Sequence, residues 1–162
     1  AVFGQELAFG RYIWFDELVT ERMGAVNFAR ELKTRIARDY SGFRMQIWGD
    51  PAGSHEVETD ETTVFQTLQA AGIPAVPAPN IPTNQFSIRR DAVAAPLGRL
   101  IDGQPGLTLG RKMVITRKGM AGGYCFKRVK VSGEERYHDK PLKNHYSHVC
   151  EAGQYLMVGF GE

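Results

Sequence analysis

The hydrophobic pattern of this chain changes period as it runs, from two residues to between three and four and back again. Only a fold of strands and helices packed on one another satisfies such a pattern. Residues 2–8 and 12–19 are aromatic- and β-branched-rich runs separated by Gly10-Arg11, and they read as a β-hairpin. Over 25–40, Val26, Phe28, Ala29, Leu32, Ile36 and Ala37 recur at helical steps, charges fill the other face, and Ser41-Gly42 closes the helix. Residues 43–48 return to a short strand that runs into Gly49-Asp50-Pro51-Ala52-Gly53. Asp60 and Glu61 are expected to open a second helix that carries Val64, Phe65, Leu68 and Ala71 and ends at Gly72, its acids favoured by the helix dipole. Four prolines between 74 and 82 predict an extended connection.

The second half continues the alternation. A third helix is predicted over 84–101, with Phe86, Ile88, Val93 and Leu97 inward and a kink or early stop at Pro96. A strand follows at 106–109, a short helix at 112–119, a hairpin from 124–131 to 135–138 around Ser132-Gly133, and a last helix over 144–158. The expected class is α/β, a mixed sheet with helices on both faces, and 162 residues suffice for one domain with a sizeable core.

No apolar run approaches the roughly 20 residues that cross a bilayer, so no membrane partner is expected. Two cysteines, Cys125 and Cys150, make neither a disulfide framework nor zinc-site spacing, and a reducing cytoplasm is the default. The start has neither an initiator Met nor a basic leader, which points to a fragment of something longer. The net charge of +2 hides an acidic half and a basic half: seven Lys/Arg against eleven Asp/Glu up to residue 84, thirteen against seven after it. Nucleic-acid proteins show such asymmetry, and so do many short chains by chance.

There is no phosphate loop, nucleophile elbow, H-E-x-x-H or paired C-x-x-C, so nucleotide hydrolysis and zinc chemistry are not expected. Asp50 ends a hydrophobic strand before a forced turn, where α/β folds collect ligand-binding side chains; a plain turn-forming Asp reads the same way. His148, Glu151 and Tyr155 share one helical face, and the pair His148/Glu151 suits a divalent cation or a solvated surface pair equally in kind. Asp16-Glu17 ends the second strand, and alternation sends only one of the two to each face of the sheet. Ser54-His55 are adjacent and rarely point at each other, which argues against a nucleophile triad. Lys127, Arg128, Lys130 and Arg136 lie on the predicted hairpin among Tyr124, Phe126 and Tyr137. Such a ribbon either tracks a phosphate backbone or is a solvated edge guarded by charge.

Together, Trp48-Gly49-Asp50-Pro51-Ala52-Gly53 and the ending from Asn144 to Tyr155, with its H-x-x-E-A-x-x-Y pattern at His148, Glu151, Ala152 and Tyr155, resemble the nuclease domain of tailed-phage terminase large subunits. The opening Ala1-Val2-Phe3-Gly4-Gln5, then Gly10-Arg11 and Asp16-Glu17-Leu18, follows the same order. The resemblance implies an RNase H-like fold and hydrolysis of double-stranded DNA by two Mg²⁺ or Mn²⁺ ions roughly 4 Å apart. It implies metal-ligand roles for Asp50 and Glu151 and a neighbouring role for His148; Glu17 joins them as a candidate because it sits at the end of the neighbouring strand. Lys127, Arg128, Lys130 and Arg136 become a DNA guide. The portal protein and the small terminase subunit are the implied partners, in the host cytoplasm and transiently at the procapsid portal.

Relatives carry a first acid on a strand just upstream of the segment that matches Ala1, so this chain as written is expected to be weakly active or inactive. Two other readings stay open. One is a non-catalytic RNase H-like module that docks DNA or the portal, and the other is a resolvase- or transposase-type nuclease.

Overall fold

The computed structural model describes residues 1–54, 63–79, 84–129 and 136–162. Strands β1 (Val2–Leu7) and β2 (Arg11–Glu17) form the expected antiparallel hairpin, and β7 (Leu107–Leu109) adds to β2 in parallel. The turn is a short 3₁₀ segment, Ala8–Gly10, in which Phe9 and Gly10 both take positive φ. A second, parallel pair joins β3 (Ile47–Gly49) to β4 (Ala75–Pro77). The chain is thus α/β, with five helices and small mixed sheets among the described residues.

Two apolar clusters flank the β1–β2 hairpin. In the first, helix α1 (Ala25–Asp39) buries Ala29 and Leu32, and α2 (Val64–Ala70) buries Phe65 and Leu68, against Phe3, Ile73 and Ala75. In the second, α3 (Phe86–Gly98) and α5 (Ser147–Phe160) bring Ala92, Val93, Tyr155, Met157 and Val158 onto Tyr12, Trp14, Leu107 and Met113. Each fully buried large side chain contributes roughly 1.5–3 kcal/mol. Trp14 needs room: a Cβ on Gly153 of α5 would meet its ring at 2.5 Å.

Some expectations fail, each for a local reason. The stretch 74–82 was expected to be only a connection, yet Ala75–Pro77 pairs with β3; Pro77 sits at the strand's end, where a missing N–H is tolerated. Helix α2 starts from a Thr63 cap, with a reciprocal bond between Thr63 and Gln66, and no acid in its first turn. Asp60 and Glu61 lie outside the described residues. Helix α3 makes the early stop expected from Pro96, at Gly98, and β5 (Leu100–Ile101) and β6 (Gln104–Pro105) follow as a tiny hairpin. Its buried stripe is Arg89, Ala92, Val93 and Pro96, while Ile88 and Leu97 are exposed.

Helix α4 (Val114–Lys118) continues into a π-helical turn, Gly119–Gly123. Strands β8 (Phe126–Val129) and β9 (Arg136–Pro141) make the second hairpin; its expected turn at Ser132-Gly133 lies outside the described residues. Phe86 anchors its base, 5.7 Å from the Phe126 ring and 6.4 Å from Tyr124.

Candidate functional site

The end of β2 shows how one irregularity assigns two acids. Phe3 pairs with Asp16 and Gly4 with Trp14, so Phe15 has no partner and forms a β-bulge. The bulge shifts the alternation by one residue. Asp16 therefore turns to α1, accepting Tyr40 Oη at 2.6 Å and Arg35 Nη1 at 2.7 Å. Burial pushes the Asp16 carboxyl up, and these bonds with the Arg35 charge outweigh it, holding it below the usual value. Tyr40 is raised by burial and by Asp16.

Glu17 turns to the other face. Its Oε1 accepts Ile115 N–H at 2.6 Å, and its Oε2 accepts the Thr116 N–H at 2.9 Å and hydroxyl at 2.6 Å. Glu17, a metal-ligand candidate from the sequence, thus caps the start of α4.

Asp50 leaves β3 as expected. Its Oδ1 accepts the Ala52 N–H at 2.9 Å and its carbonyl accepts Gly53 N–H at 2.8 Å, so it does form the turn. It also accepts Asn84 Nδ2 at 2.9 Å, across 34 residues of chain. Asn84 Oδ1 in turn accepts the Tyr155 hydroxyl at 2.9 Å. Burial, and then the nearby Asp50 carboxylate, raise the phenol. Tyr155 is thus a buried tether for the Asp50 turn rather than a member of a solvated face. The Arg89 guanidinium lies over its ring at 4.8 Å.

Glu151, one turn before Tyr155, accepts the Tyr124 hydroxyl at 3.0 Å and Lys143 Nζ at 2.5 Å on both oxygens. Burial and the Glu151 charge raise the Tyr124 phenol. His148 goes elsewhere: it is exposed and lines a cavity of about 230 Å³ with Leu18, Thr20, Phe28 and Val149. Asp50 and Glu151 are thus linked through Tyr155 and one turn of α5, whereas Glu17 is used as a cap and His148 lines a different cavity.

Lys127, Arg128 and Arg136 are exposed on the hairpin, and Lys130 lies outside the described residues, as does His55. Lys127, His138, Lys140 and Lys143 line an open groove of about 460 Å³ along β9. Asn84, Arg89, Tyr124 and Lys143 were missed as site residues. The only available signal was Asn84's place at a helix start, because the rest depends on contacts between distant segments.

Among the described residues, no three His, Cys, Asp or Glu side chains come together to hold a metal ion, and an ammonium already occupies Glu151. These residues by themselves do not fit a divalent-metal centre. No helix among them is long and apolar enough to cross a membrane. Compared with protein-family models, with curated proteins and with solved structures, the chain matches none.

Proposed function

We propose that this chain is an RNase H-like nuclease domain of the terminase large-subunit type, acting on double-stranded DNA with divalent metal. The observation that carries the reading is the hydrogen-bonded path from Asp50 through Asn84 to Tyr155, one helical turn from Glu151. It ties a strand-end acid to an acid on the last helix. Two acids so placed, beside an exposed basic hairpin, suit a phosphodiester substrate. Asn84 and Tyr155 orient Asp50, and Tyr124 orients Glu151.

The reading needs a third carboxylate, carried on a strand upstream of Ala1. Unpaired strand edges support it. Among the described residues β1 pairs only with β2, and β3 only with β4. Val2 and Gly4 of β1 and Ile47 and Trp48 of β3 line one small cavity, of about 110 Å³, with Gln46 and, from α5, Ala152 and Leu156.

A non-catalytic DNA-binding module is the second reading, favoured by the Lys143–Glu151 ion pair and by the engagement of Glu17. Nicking of supercoiled plasmid in Mn²⁺ by the chain extended upstream by one strand separates the two when Asp50→Ala and Glu151→Ala are run beside a Lys127→Ala/Arg128→Ala/Arg136→Ala variant. A nuclease loses nicking in all three. A binding module shows no nicking, and loses DNA retention only in the hairpin variant.

A further inference from the structure

Helix α3 begins at Phe86 with no side-chain cap and no acid in its first turn. Its positive end therefore lacks the compensation that helix starts usually carry. At the same turn lies a guanidinium that is unusual for its burial. Arg89 is only 8% exposed, and its Nε and Nη1 have no hydrogen-bond partner among the described residues. Its neighbours are aromatic faces, Tyr155 at 4.8 Å and Phe86 at 6.0 Å, and among the described residues no carboxylate pairs with it. Long helical side chains fold back toward the N-terminus, which brings this cation to the uncapped end.

A buried cation with unpaired N–H groups is costly unless an anion meets it. Stacking on Tyr155 and Phe86 returns only part of that. Two independent features, an uncapped helix start and an orphaned guanidinium, thus ask for the same thing at the same place.

We propose that the first turn of α3 and Arg89 form a binding site for a tetrahedral phosphate oxyanion, a free phosphate or a phosphodiester of DNA. Backbone N–H groups of the first turn and the free N–H groups of Arg89 donate to its oxygens. Asn84, two residues before the helix, holds Asp50 beside the same turn. The Asp50 charge opposes the anion, so affinity for free phosphate is modest. If the anion is a DNA phosphodiester, the site deepens the nuclease reading by naming what the substrate touches next to Asp50; phosphate binding itself does not depend on that reading.

The test is thermal unfolding of the whole chain against increasing inorganic phosphate, with sodium chloride at matched ionic strength as control. Wild type is expected to gain melting temperature saturably in phosphate and not in chloride. Arg89→Met is expected to lose that gain and, without phosphate, to melt no lower than wild type, because the unpaired charge is gone. Ser87→Glu places a carboxylate at the exposed helix start, where it leaves the fold intact and competes with the anion; it too should abolish the gain. An equal phosphate response in both variants, or a rise matched by chloride, overturns the site.

Duplex DNA binding by fluorescence anisotropy identifies the source. A roughly tenfold loss in both variants, with a salt dependence shallower by about one counterion, assigns the site to a DNA phosphate. Unchanged duplex affinity with the phosphate response lost assigns it to free phosphate. Because no cleavage is read, failure of the nuclease reading leaves these outcomes intact.

Discussion

The Glu17 carboxylate accepts both the backbone N–H of Thr116, at 2.9 Å, and its hydroxyl, at 2.6 Å, so the last residue of β2 serves as the cap of α4. Thr116 is fully buried, and without Glu17 its hydroxyl loses this acceptor. Glu17→Ala is expected to cost about 2 kcal/mol, the sum of a lost cap and a buried orphan hydroxyl. Urea unfolding checks this, and a loss below about 0.5 kcal/mol contradicts the capping role.

Asp16 makes stability depend on pH in the acid range. Its folded-state pKa lies below the unfolded one, so its contribution is complete above the unfolded value near 4 and fades as pH falls through the folded value. Asp16→Asn should therefore be less stable than wild type at pH 7, by about 2–3 kcal/mol for a broken, largely buried pair. The two proteins should converge toward pH 2. Parallel curves over the whole range would show that Asp16 is uncharged or unpaired.

Gly153 lies where any side chain would strike the Trp14 ring, at 2.5 Å from an added Cβ. Both are held by rigid elements, α5 and β2, so relief requires backbone movement. Gly153→Ala is expected to destabilise by about 1–3 kcal/mol despite its better helix propensity. A stabilised variant would mean that the α5–β2 packing is looser than described.

Lys143 is two-thirds exposed while Glu151 is largely buried, and an ion pair with one such partner contributes under about 1 kcal/mol to stability. Lys143→Met should thus leave urea unfolding nearly unchanged. If Glu151 is a metal ligand, removing the competing ammonium should raise Mn²⁺ affinity several-fold by calorimetry. Weaker Mn²⁺ binding would instead make Lys143 part of the site's support.

Much of the framework was legible from periodicity: the first hairpin, α1 and the last helix all rest on patterns longer than six residues. What escaped were single-residue events. The Phe15 bulge reverses the faces of Asp16 and Glu17, and strand alternation carries no sign of it. Arg89 takes the buried position that hydrophobicity gave to Ile88, because an aromatic floor of Tyr155 and Phe86 receives it. Asp50 and Glu151 stood out by position in their elements, whereas the Asn84–Tyr155 tether joins residues 71 apart. Local sequence is silent about such a contact.

The most direct test of the nuclease reading is cleavage of duplex plasmid in Mn²⁺ by the chain preceded by one further strand, beside the same protein with Asp50→Ala. Nicking and linearisation that the substitution abolishes are the expected result. Cleavage that survives Asp50→Ala, or none from the extended protein when folded and DNA-bound, would contradict the assignment of Asp50 and of the reaction.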